Sequence, residues 1–87
     1  MDRLRKRDEE AGIERTPVTD AQKAAIAEIR NFYGSKIAEL EVLHQGRLRD
    51  TVDAGERAAR EEEYRRDRER LVSERDAKIA KVRQHAY

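Results

Sequence analysis

The chain has no cysteine, no tryptophan, a single proline and four glycines among its 87 residues. Without cysteine it can form neither a disulfide nor a thiolate zinc site. Aromatic residues make up only 5% of it, and Ile, Leu, Val and Phe together number 16, a thin supply for a globular core. No apolar run approaches the length of a membrane span, and no signal-peptide core follows the opening "MDRLRKR". No membrane association is expected, and the cytoplasm is the expected location. Charge of one sign is also lacking. Twenty basic residues nearly cancel 19 acidic ones, leaving a formal +1, so no global field draws in nucleic acid. A small chain with so little core needs outside support. With disulfides and thiolate metals excluded, self-association is the remaining source.

What is present is charge. Asp, Glu, Lys and Arg form 45% of the chain, and the dominance of Ala, Glu and Arg points to long helices or coiled coil. Residues 1–17 show no clean periodicity and read as a flexible charged arm. At "TPVTDAQ", Thr19 is placed to cap a helix, with Gln22 three residues on to complete a capping box. Nothing breaks that helix strongly before Asp53-Ala54-Gly55.

The apolar spacing gives the fold. Ile26, Ile29, Tyr33, Ile37, Leu40, His44 and Leu48 follow an eleven-residue repeat, close to that of a straight helix. Tyr64, Arg68, Leu71, Arg75, Ile79, Val82 and Ala86 give the same repeat reversed. Ile26 then pairs with Val82, Ile29 with Ile79, Tyr33 with Arg75, Ile37 with Leu71, Leu40 with Arg68 and His44 with Tyr64. Each pair is equidistant from position 54. The expected class is all-α: an antiparallel two-helix hairpin over residues 18–87, with helices at 19–52 and 56–86. Its turn is placed at 53–55, where Gly55 could take the positive φ of a helix C-cap. In this register Arg75 is expected to stack on Tyr33, and His44 to hydrogen-bond to Tyr64.

Ala25, Phe32 and Leu43 lie about 90° off this seam, at 100° per residue. They form a second apolar stripe, which predicts a homodimer assembling into a four-helix bundle.

Chemistry is sparse in the sequence. Glu41 and His44 share a helix face at i, i+3, the spacing of ferritin-like di-iron helices, and Glu61 to Glu63 lie near His44 in the expected register. A seam histidine explains the same residue more economically. No cofactor is expected. No residues are spaced for nucleophilic catalysis, and a thin hairpin offers no cleft to shift a pKa by desolvation. The run "RRDRER" is expected to be a solvated face laced by i, i+4 pairs rather than a nucleic-acid patch.

The segment Asp53 to Tyr64, "DAGERAAREEEY", resembles the tip and second coiled-coil helix of the DksA/TraR family of transcription factors. There an acidic-x-x-acidic-Arg-Ala segment leads into glutamates and an aromatic residue. The resemblance implies a coiled coil that enters the RNA polymerase secondary channel, with Asp53 and Glu56 as tip acids and Ala58 as the small residue beside them. The chain departs from the family in lacking the cysteine zinc finger and in having Ala54-Gly55 between the acids.

Three functional readings therefore stand. The first is a non-catalytic hairpin scaffold or adaptor that binds a protein partner. The second is a transcription regulator inserting an acidic tip into RNA polymerase. The third is a ferritin-like metal-binding bundle using Glu41 and His44.

Overall fold

The computed structural model describes residues 18–85. The arm expected at residues 1–17 and the seam position Ala86 lie outside them. Two helices, α1 (Asp20–Arg49) and α2 (Ala54–Gln84), pack against each other as a hairpin, with no strand among the described residues. The rod measures 55 × 28 × 19 Å.

The first helix starts where its sequence signal lies. Thr19 takes an extended backbone, its Oγ1 accepts from the Gln22 N–H at 3.0 Å, and Gln22 Oε1 accepts from the Thr19 N–H at 2.8 Å. The capping box satisfies two of the N–H groups that a helix start leaves unpaired. Arg47 and Arg49 lie in the last turn, where positive charge suits the carbonyl end.

The turn falls at Asp50–Asp53, upstream of the expected 53–55. Asp53 has an extended backbone (φ −67°, ψ 130°), and its Oδ2 accepts from the Glu56 N–H at 2.9 Å. It is the N-cap of α2, which therefore begins at Ala54. Gly55 lies in the first turn of that helix without a left-handed φ, so it is not the C-cap of α1. A Cβ there would stand 3.2 Å from the capping carboxylate. Gly55 makes room for the Asp53 side chain rather than reversing the chain.

The seam of α1 has the expected period. Ile26, Tyr33 and His44 are buried, and Ile29, Ile37, Leu40 and Leu48 are half-buried. On α2, Ile79 and Val82 are buried, while Tyr64, Leu71 and Arg75 are half-buried. One position departs. Arg68 is exposed and Asp67 takes the half-buried place, because a three-residue step from Tyr64 drifts the contact line toward the Leu43 side of the hairpin.

The apolar cluster lies at the end that carries the termini of the hairpin, with Tyr33 buried further along. Ile26, Ile79 and Val82 form one cluster, with Ala25 and Ile29 packed against it. Gln22 clasps this end. Its Nε2 donates to the carbonyl oxygens of Val82 at 3.0 Å and His85 at 2.6 Å, and the side chain is buried. One amide thus caps the start of α1 and holds the last turn of α2.

Candidate functional site

Three places carry the side chains that the sequence singles out: the aromatic layer around His44, the tip, and the stripe on the side of α1.

In the aromatic layer, His44 stacks on Tyr64 with ring centroids 4.3 Å apart and planes 11° from parallel. The pairing is the expected one, but the hydrogen bond is not. His44 Nε2 meets Glu61 Oε1 at 3.0 Å, because a stacked ring has its nitrogens in its own plane, pointing past the phenol. His44 is buried, whereas Glu41 is exposed. No group of three or more His, Asp or Glu side chains suited to hold a metal ion occurs among the described residues. A carboxylate-bridged centre needs several such donors together; among the described residues the carboxylate that His44 meets is Glu61, with Glu63 in the same groove.

Tyr33 is buried at 4% exposure, its hydroxyl reaching Glu74 Oε1 at 3.5 Å. Lys78 Nζ stands 5.6 Å from its ring centroid, in the role expected of Arg75. Arg75 instead pairs with its neighbour Asp76, Nε to Oδ1 at 3.0 Å. A four-carbon lysine one turn further along α2 reaches over the ring from the side, where the stripe of α1 begins.

At the tip, Asp53, Glu56 and Ala58 are all exposed. The Asp53 carboxylate is committed to the cap of α2 through the Glu56 N–H. The turn is tied by two groups not evident from sequence. Arg57 Nη1 donates to the carbonyl oxygens of Leu48 at 2.6 Å and Thr51 at 2.9 Å. Thr51, itself buried, donates its hydroxyl to the Arg47 carbonyl at 2.6 Å. These bonds add to the Thr51 N–H bond to the Leu48 carbonyl at 3.2 Å and tie the end of α1 to the turn. Beside them Val52 is 93% exposed.

The charged run on α2 is a solvated face. Arg65 pairs with Glu62 and with Glu69 at 3.2 Å, and Arg70 stands 3.9 Å from Asp67. Chiefly the Glu62 carboxylate, with help from Glu69, raises the Arg65 guanidinium above its ordinary pKa.

The stripe is the remaining surface. Phe32 is 55% exposed and Leu43 58% exposed, while Ala25 is half-buried against the core cluster. Phe32 meets Tyr33 edge-on at 5.1 Å, and Lys36 Nζ lies 5.6 Å from the Phe32 ring centroid. Beside Leu43 the two helices leave a groove of about 120 Å³. Leu40, Leu43, His44 and Tyr64 line its apolar and aromatic part. Arg47, Arg60, Glu63 and Asp67 form its charged rim. The sequence exposes the stripe through periodicity, but the groove needs both helices in register to be visible.

No helix among the described residues is long and apolar enough to cross a membrane. Comparison with protein-family models, curated proteins and solved structures finds no match for the chain.

Proposed function

We propose that the chain is a non-catalytic helical-hairpin scaffold whose working surface is the side stripe of α1, and whose first partner is itself. The observation that carries this reading is the exposure of Phe32 and Leu43, 55% and 58%, on a hairpin whose buried apolar cluster, among the described residues, is Ile26, Ile79 and Val82. Covering what remains exposed of each side chain contributes roughly 1–1.5 kcal/mol, about half the value for full burial, and a symmetric dimer counts each one twice. For a fold with so small a core that contribution decides whether it persists at low concentration. A homodimer pairing four helices is the assembly this stripe favours, and its outer faces remain open to another protein.

Sedimentation of the unmodified protein at micromolar concentration tests the reading, and a dimer is expected. Phe32→Ser with Leu43→Ser should give a monomer whose melting temperature is lower and independent of concentration. A well-folded monomer from the unmodified chain would end the self-association reading.

The tip supports a second reading. Asp50, Asp53 and Glu56 are exposed at the end of the rod, an acidic tip of the kind that the resemblance to DksA/TraR coiled coils sends into the RNA polymerase secondary channel. Glu56→Gln with Asp53→Asn removes the charge while keeping an efficient cap. If RNA polymerase binds the chain and that variant equally, the acidic-tip reading fails.

A further inference from the structure

We infer that two hairpins associate antiparallel, with Phe32 of each copy seated in the groove beside Leu43 of the other. This rests on the dimer proposed above and assigns its geometry. Phe32 and Leu43 are eleven residues apart on one line of α1, so about 16 Å separates them along the helix. One is an exposed aromatic ring and the other borders a groove of about 120 Å³. That volume is comparable with the cavity of about 150 Å³ that takes a benzene ring.

A knob and a hole on the same face of the same helix are self-complementary under a two-fold axis between residues 37 and 38. In a symmetric interface, if residue i meets residue j, then j meets i. A parallel pairing would set Phe32 against Phe32 and leave both grooves empty.

Charge follows the same register. The knob carries two lysines: Lys36 over the Phe32 ring and Lys78 over the adjoining Tyr33 ring. The groove rim carries Glu63 and Asp67 beside Arg47 and Arg60, and Glu74 stands by Tyr33 at the knob. Within the hairpin these carboxylates are held only loosely, Glu63 by Arg60 at 3.8 Å and Asp67 by Arg70 at 3.9 Å. The antiparallel arrangement brings Lys78 of one copy level with Glu63 of the other, and Lys36 level with Glu39 and within about 3 Å of the height of Asp67. It sets cation and carboxylate around each buried ring, four pairs to the dimer. Such pairs fix register and orientation more than affinity. The same chemistry thus selects a second copy of this chain as the occupant of the groove.

Single cysteines introduced into this cysteine-free chain test the geometry. Glu39 and Glu28 are both exposed. Glu39 lies next to the axis, so Glu39→Cys should form a disulfide with its own copy under mild oxidation. Glu28→Cys should not, since the two sulfurs would be separated by roughly 28 Å along the helices. Phe32→Ala should weaken the dimer about a hundredfold, as expected for removing a central aromatic anchor twice. Val42→Ala, at an exposed apolar residue off the stripe, should leave the dimer unchanged. Self-cross-linking of Glu28→Cys would overturn the antiparallel geometry in favour of a parallel dimer. A dimer in which neither variant cross-links would place the interface on another face. A monomeric unmodified protein would remove the dimer altogether, an outcome that sedimentation separates from the other two.

Discussion

At the scale of single residues, Gln22 and Asp53 hold parts of the fold by hydrogen bonds and not by apolar packing. Gln22 uses its oxygen for the capping box and both amide hydrogens for the carbonyls of Val82 and His85. Gln22→Glu separates these tasks. The carboxylate can still accept at the helix start, where negative charge is favourable, but it would face the buried Val82 and part-buried His85 carbonyls with nothing to donate. A loss of about 2–3 kcal/mol is expected, against about 1 kcal/mol for Thr19→Ala, which removes only the cap. Thermal unfolding of both variants at one protein concentration decides it. Asp53 carries the second lesson. It is exposed at the tip, yet its Oδ2 caps α2. Asp53→Ala should therefore lower stability by about 1 kcal/mol, while Asp53→Asn should leave it nearly unchanged. Equal unfolding midpoints for the two variants would show that the cap contributes nothing.

At the scale of the helices, the start of α1 and the fold-back are legible from sequence, and the exact position of the turn is not. A capping box is a local device, four residues long, and its chemistry is written in consecutive letters. The turn at Asp50–Asp53 depends on Arg57 reaching back to Leu48 and Thr51, a contact between two elements that helix propensity does not encode. Gly55 draws attention as a breaker, but a helix tolerates it because the adjacent cap needs the space. The glycines accordingly differ. A Cβ at Gly34 meets nothing within 4 Å, so Gly34→Ala should stabilise the protein by about 0.5–1 kcal/mol. At Gly55 the same gain in propensity is opposed by crowding of the Asp53 carboxylate, and the net change should be near zero or negative. Urea denaturation of the two variants makes the comparison, and an equal gain at both sites would remove the steric reason given for Gly55.

At the scale of the whole molecule, the hairpin is a rod 55 Å long whose apolar core lies at one end and whose other end is held by hydrogen bonds. Exposed Lys23 and Arg83 lie on the two helices at the core end. Labels there should be roughly 10–20 Å apart, the spacing of packed helices plus the label arms. One continuous helix would separate them by about 90 Å, a distance that would refute the fold. The association proposed for the Phe32 and Leu43 stripe belongs to this scale as well, since neither side chain finds cover within one copy.

The sequence by itself determined that the chain is two helices folded back on each other, and which face of α1 forms the seam. An eleven-residue spacing of apolar residues is a property of one helix and survives in the one-dimensional order. It also determined the Thr19 cap and the solvated charged face of α2, which are made by residues three or four apart. Tertiary structure alone decided where the chain turns, that Asp67 rather than Arg68 faces the partner helix, and that His44 bonds to Glu61 while stacking on Tyr64. It alone decided that Lys78 covers Tyr33 and that a groove opens beside Leu43. Each of these depends on the rotation of one helix against the other by a fraction of a turn. That rotation is set by how the side chains of two surfaces fill the space between them, and no single surface contains that information.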